Sequence, residues 1–382
     1  FYGICLIIVG TGFFKPNIST MVGELYREGD PRRDAGFSLF YAGINIGALL
    51  GGGLCVYVGK TYSWNIAFLL SGVFMALGLL NFILTRKLLG PIGISPTTES
   101  PAKDRRNRWF VYAGTLAVLP LIYIMIRKTE YTDLFMYIIG PVTLVYIIYE
   151  MTKLDKAQIK KMVAAIIFIL LSIIFWSFFE QSGGSLSLFA RDLVSSKMLG
   201  MEIDSNVVNN SANSFFVICF SALIGVLWVW LNKRKLEPNY FAKFGLAFLF
   251  LSLSFYLFYV MRFWLDSDGL TSLGLFTLAY LVISIGELFL SPIGLSLMTK
   301  LSPKHLWGIM MGMWFLASAY GQYVAGILGA GMSSPDEKAP LSVRLDGYTN
   351  GYLQLSIYAL ITGVVIILVA RWLNRLMQED SK

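Results

Sequence analysis

The stretch Gly10–Thr20, GTGFFKPNIST, places Lys15 inside a run from Phe1 to Val22 that carries no other charge. A lysine at the centre of an apolar helix costs about 2.5–3.5 kcal/mol on insertion scales. That cost is sustained where the ammonium faces a partner or a water-filled cavity rather than hydrocarbon. Whether the run is a membrane span, and what Lys15 faces, is decided by the rest of the chain.

The 382 residues are 56% hydrophobic and 14% charged, against about 25% charged in soluble domains. Uncharged stretches recur along the whole length. Eleven apolar segments are expected to cross a membrane as helices: roughly 1–25, 36–59, 65–85, 109–126, 132–149, 162–190, 212–232, 242–261, 270–299, 306–331 and 351–374. Each can span about 30 Å of hydrocarbon, and none shows the alternation of a barrel strand. The net charge of +8 is therefore a topology signal, and the scattered basic residues make no nucleic-acid footprint. With the Tyr26–Ala35 loop placed in the cytoplasm, 22 of the 31 Lys and Arg residues fall on the cytoplasmic side and 8 outside. This follows the positive-inside rule, with the C-terminus inside and Phe1 outside.

A chain that starts in the cytoplasm then needs an odd number of helices before residue 1. The polar, basic stretch Leu89–Asn107 reads as a cytoplasmic linker, followed by a returning helix pair. These separate three helices from six. Two groups of six suit a transporter built from repeated bundles, with substrate near the midplane, and three helices are expected to precede residue 1. The expected division is 1–88 for the first, incomplete bundle, 89–158 for linker and inserted pair, and 159–382 for the second bundle.

Besides Lys15, Glu180 in IIFWSFFEQSGGS and Glu287 in VISIGELFLSPIG lie deep in apolar runs. They read either as a buried ion pair that fixes packing or as a pathway for substrate and protons. A buried carboxylate near a cation changes protonation state with small rearrangements, since desolvation and charge oppose each other. By helical rise Lys15 stands about 16 Å from the helix end near Tyr26. Glu287 stands at a similar depth, so depth alone favours it over Glu180 as the neighbour of Lys15. Pro16, Gly183-Gly184 and Pro292 follow the three charges, and helices are expected to break or soften there. GINIGALLGGG at 43–53 is expected to pack closely through small residues. Tyr41, Asn45, Gln181, Asn213, Ser291, Trp314, Ser318 and Gln322 gather on the same segments and suggest a polar cavity. Cys5, Cys55 and Cys219 read as packing residues, and His305 has no companion for a metal. No nucleophile–base pair, metal cluster or phosphate loop appears, so an enzyme is not expected.

Five motifs carry a family resemblance: GTGFFKPNIST, FYAGINIGALLG, FWSFFEQSGGSLSLFA, GELFLSPIGLSLMTKLSP and GMWFLASAYGQYVAG. In content and order they resemble the proton-dependent oligopeptide transporters of bacterial type, a branch of the major facilitator superfamily. The resemblance implies an all-α integral membrane fold: two six-helix bundles with an extra helix pair between them. It implies a multi-pass inner-membrane symporter importing di- and tripeptides by alternating access. The proton is its coupling ion, there is no other cofactor or metal, and a monomer is expected. Other small solutes, such as a drug, nitrate or a sugar, are the alternative cargo. Residue by residue it implies that Lys15 pairs with Glu180 in substrate binding and proton coupling. Glu287 receives the peptide's amino terminus with help from Asn213, and Asn45 and Tyr41 contact the peptide backbone. Trp314 and Ser318 shape a side-chain pocket; Ser291, from the polar set above, is a further candidate for substrate binding. Ser214 and Ala222 stand where the family usually has proline on the helix of Asn213.

Overall fold

The computed structural model describes residues 1–27, 30, 32–94, 100–198, 200–332 and 339–377, with backbone alone at 52, 53, 56, 57 and 60. Parts of the expected linker (95–99), part of the 26–35 loop, Lys338 and the tail 378–382 lie outside the described residues.

The helices are α1 (Tyr2–Glu24), α2 (Arg33–Thr61), α3 (Trp64–Thr85), α4 (Pro101–Arg127), α5 (Thr129–Met151), α6 (Lys156–Phe179), α7 (Ser185–Leu193), α8 (Ser205–Lys233), α9 (Tyr240–Val260), α10 (Leu273–Leu288), α11 (Ser291–Leu301), α12 (Trp307–Met332) and α13 (Leu341–Leu373). One departure from an all-helical chain is a two-residue ladder, β1 (Lys197–Met198) with β2 (Met201–Glu202), in a loop. Short side chains open several helices by accepting a free backbone N–H: Asp155 from Gln158 at 2.8 Å, Asp204 from Asn206 at 2.7 Å and Asn239 from Ala242 at 2.9 Å. These caps stand where polar loop meets apolar run, so the sequence punctuation and the span ends coincide.

Nine helical stretches among the described residues are long and apolar enough to cross a membrane. The expected segments 36–59 and 306–331 form α2 and α12, 29 and 26 residues long. They are not among the nine; both are rich in glycine, and α2 also buries the polar Ser38 and Asn45. The expected linker is shorter than read. Residues 101–107 already belong to α4, which starts with Pro101 at its first turn, where proline's missing N–H costs nothing.

Breaks follow two of the three charges. After Phe179 the chain tightens into a single 3₁₀ turn, Glu180–Gly183, before α7. After Leu288 it breaks again before α11, with Pro292 in the new first turn. At Pro16, by contrast, α1 runs through unbroken. There Asn17 Nδ2 donates to the Phe13 carbonyl at 2.7 Å and Ser19 Oγ to the Lys15 carbonyl at 2.8 Å. Side chains thus bond carbonyls near the proline and hold the helical path.

The core lies among α6, α9, α10, α12 and α13 and is aromatic: Phe168, Phe175, Phe244, Phe248, Phe255, Phe258, Phe276 and Tyr352 are fully buried. Small residues let backbones approach. A Cβ on Gly363 would stand 2.9 Å from the Gly245 carbonyl, and Ser252 and Ser356 each donate to the other's carbonyl at 2.8 Å between α9 and α13. The close packing expected at 43–53 is not found: Gly43, Gly47 and Gly51 meet nothing within 4 Å, and 52 and 53 lie outside the described side chains. Of the cysteines, Cys5 is buried and Cys55 meets Ser71 Oγ at 2.8 Å, whereas Cys219 is exposed at the molecular surface and packs against no core.

The tightest approach between α11 and α12 is at Gly294, where an added Cβ would fall 1.9 Å from Trp314 Cη2. Trp314 is 3% exposed and has no room to retreat. Gly294→Ala is expected to destabilise the protein by about 1–3 kcal/mol through overpacking. Thermal unfolding of the detergent-purified protein should show a lowered midpoint, while Gly312→Ala, with open space at its Cβ, leaves the midpoint in place.

Candidate functional site

Three helices converge on Glu287, which is 3% exposed near the C-terminal end of α10. Tyr41, from α2, donates its hydroxyl to Oε1. Asn213, from α8, donates its Nδ2 to Oε2 at 2.6 Å and to Ser284 Oγ at 3.0 Å. Asn45, one turn beyond Tyr41, donates to the Tyr41 carbonyl at 3.0 Å and is itself buried. The sequence builds this locally. Tyr41 and Asn45 are four apart on α2, and Ser284 and Glu287 three apart on α10, so each pair shares a helix face. Ser291 is buried at the start of α11, just past the break. A carboxylate with two donors in a buried setting is a negative point held ready for a cation.

Glu180 stands apart from this cluster. It is half-buried on its 3₁₀ turn and accepts Gln322 Nε2, from α12, at 3.2 Å. Its neighbour Gln181 is fully buried, donates to the Ala325 carbonyl at 3.1 Å and accepts Ser185 Oγ at 2.7 Å. The turn is therefore pinned to α12.

Lys15 is exposed, and among the described residues it pairs with neither carboxylate within the 4.0 Å of an ion pair. Its Nζ lies 5.8 Å from the centre of the Phe315 ring on α12. Phe315, Ser318 and Gln322 recur at three and four residues, hence on one face of α12. Lys15 thus reaches the same stripe that holds Glu180, about 10 Å along the axis from Gln322 by helical rise. Ser318 is half-buried on that stripe. Trp314 faces inward instead, edge-on to Phe244 at 6.4 Å.

Several residues that matter here carry no charge and were not singled out by the sequence reading: Ser284, Tyr280 and Asn209. Their signal was spacing alone: 280, 284 and 287 on α10, and 209 and 213 on α8. A second polar cluster occupies the end of the molecule near residues 26–35, around a cavity of about 1530 Å³. Arg33 donates to Thr299 Oγ1, Ser296 Oγ donates to Asp34 Oδ1 at 2.7 Å, and Tyr240 donates to Asp34 Oδ2 at 3.1 Å. Lys243 is fully buried on α9, paired with Glu237 and 4.3 Å from the Trp228 ring centre. Helix ends tucked between neighbours bury such groups, which a charge count along the chain does not register.

A buried and a half-buried carboxylate at helix interruptions, among membrane-length spans, define a membrane carrier. The family model described as POT family matches residues 1–345, and the chain belongs to that family. It is a family of transporters, and the chain is not an enzyme. The chain is 32% identical to the peptide transporter YePEPT of Yersinia enterocolitica, over all of this chain and 76% of that protein. It is 30% identical to the dipeptide and tripeptide permease B of Aeromonas hydrophila, again over all of this chain and 76% of the relative. Among solved structures it is similar to a POT family transporter in complex with a thioalcohol conjugated peptide. The TM-score is 0.73 at 27% identity, covering 96% of this chain and 75% of that one. The fold is that of the major facilitator superfamily.

Proposed function

We propose that the chain is a secondary carrier that imports di- and tripeptides together with protons by alternating access. The observation that carries the reading is the buried Glu287 with Tyr41 and Asn213 donating to it, in a chain whose relatives are named for peptide transport. A zwitterionic peptide needs an anion for its ammonium and a cation for its carboxylate. Glu287 supplies the first, assisted by Asn213, and Lys15 the second. Tyr41 and Asn45 meet the peptide backbone, while Ser318 and Ser291 shape the space for side chains and Trp314, packed against Phe244 and Gly294, backs it from the core. Glu180, with Lys15, couples transport to the proton, which is the coupling ion; no other cofactor is needed.

In this reading 1–88 and 159–382 belong to two bundles and 89–158 is an inserted unit. The end bearing residues 26–35 is cytoplasmic, as is the C-terminus, in a bacterial inner membrane. The bonds of Arg33 to Thr299 and of Asp34 to Ser296 cross between the bundles at that end and must break when it opens. All the named residues come from one copy, so a monomer suffices.

The test is a competition panel. Full-length protein in proteoliposomes takes up a labelled dipeptide in the presence of excess di-, tri- and tetrapeptide, a free amino acid, nitrate or a sugar. Di- and tripeptides are expected to compete and the others not. No carrier-dependent uptake of the dipeptide, or uptake blocked by nitrate or a sugar as strongly as by a dipeptide, would favour the alternative cargo.

A further inference from the structure

Between the two carboxylates runs a ladder of hydrogen bonds. On α8, Asn209 and Asn213 are four residues apart; on α10, Tyr280, Ser284 and Glu287 follow at four and three, so each set lies along one face. The upper rung is Asn213 to Ser284 and Glu287. In the lower rung the Tyr280 hydroxyl donates to Asn209 Oδ1 at 2.6 Å. Asn209 Nδ2 then donates to the Ser182 carbonyl at 2.9 Å. Ser182 sits in the 3₁₀ turn that begins with Glu180. The two rungs join where Ser284 Oγ donates to the Tyr280 carbonyl at 2.7 Å.

The lower rung answers a physical need. The break at Gly183-Gly184 frees backbone carbonyls, and at membrane depth a freed carbonyl must find a donor in the protein. Asn209 supplies it to Ser182, and Tyr280 occupies the other half of the same amide. Both are buried, at 3% and 2% exposure. A buried amide satisfied on both ends is fixed in orientation. The turn of Glu180 is thus held on two sides, by Gln181 on α12 and by Asn209 on α8.

We propose that Asn209 and Tyr280 are positioning residues that tie the Glu180 turn to the helix face bearing Glu287, and so keep proton coupling in step with peptide engagement. The proposal rests on the coupled-carrier reading above. Neither residue touches substrate in it; they act through the turn.

The experiment compares two activities of the same proteoliposomes: accumulation of labelled dipeptide driven by an inward proton gradient, and counterflow exchange with no gradient. A structural defect lowers both together, whereas a loosened turn lowers only the first. Tyr280→Phe removes one oxygen and keeps the ring contacts with Phe276 and Phe258, at 5.2 and 5.9 Å between centres. It is the variant that keeps the fold if Asn209→Ala does not. For either variant, accumulation is expected to fall about fivefold or more, with exchange and the dipeptide KM within about twofold of wild type. Unchanged accumulation, or accumulation and exchange falling in equal proportion, overturns the proposal. A wild type that exchanges but never accumulates peptide sinks the coupled-carrier reading, and the proposal falls with it. Accumulation by the wild type with unaltered variants sinks the proposal alone.

Discussion

Replacing Glu180 by Gln is expected to abolish proton-driven accumulation of peptide while sparing exchange. Glu180 is half-buried and contacts Gln322 Nε2 at 3.2 Å. A glutamine there is nearly isosteric, and its amide oxygen still accepts from Gln322, so the turn and its anchors stay in place. What is lost is a group that gains and releases a proton. Intramembrane carboxylates serve proton relays because their two protonation states are brought close in free energy by burial and by nearby charge. Lys15 reaches the same face of α12, and the proposed coupling role makes it a cation of that balance. Accumulation should fall about tenfold or more, with counterflow within about threefold of wild type. Equal accumulation by wild type and Glu180→Gln would remove Glu180 from the coupling step.

The second large effect is on binding. Glu287→Gln replaces a carboxylate that accepts from both Tyr41 and Asn213 with an amide that accepts on one side only. One of the two donors then faces an N–H₂ group, and the site loses its charge. A hydrogen bond to a charged group contributes about 1.5–3 kcal/mol, which is roughly 10- to 150-fold in affinity. The KM for dipeptides with a free amino terminus is expected to rise by that order. An N-acetylated dipeptide has no ammonium to lose, so its already weak binding should change little. A uniform loss for both ligands would show that Glu287 shapes the site without receiving the amino group.

The spans were legible because a membrane enforces them: with no water to satisfy backbone groups, long apolar helices are what the chain can form. The breaks after Glu180 and Glu287 were legible for the same reason, as Gly183-Gly184 and Pro292 stand where a continuous helix is costly. Pro16 misled because Asn17 and Ser19 bond carbonyls of α1 beside it, a local compensation that composition does not announce. The approach of Tyr41 and Asn213 to Glu287 joins residues 246 and 74 apart; no spacing rule reaches that far, and the motif resemblance paired Asn213 with Glu287 but set Tyr41 on the peptide backbone instead. The depth argument, which set Glu287 nearest Lys15, measured height along a helix and not the face or the neighbour. In the structure the Lys15 ammonium lies 5.8 Å from the Phe315 ring of α12 and, among the described residues, within ion-pair distance of neither carboxylate. Asn209 and Tyr280 passed unnoticed because a lone asparagine or tyrosine in an apolar run is ordinary, and their meaning comes from a freed carbonyl on another helix.

The central claim is that this chain moves peptide uphill by moving protons downhill. The direct measurement is uptake of a labelled dipeptide by full-length protein in proteoliposomes under an imposed inward proton gradient, with and without a protonophore. The account predicts accumulation above the outside concentration that collapses when the protonophore is added. Uptake that only equilibrates, and is the same with or without the gradient, would contradict it.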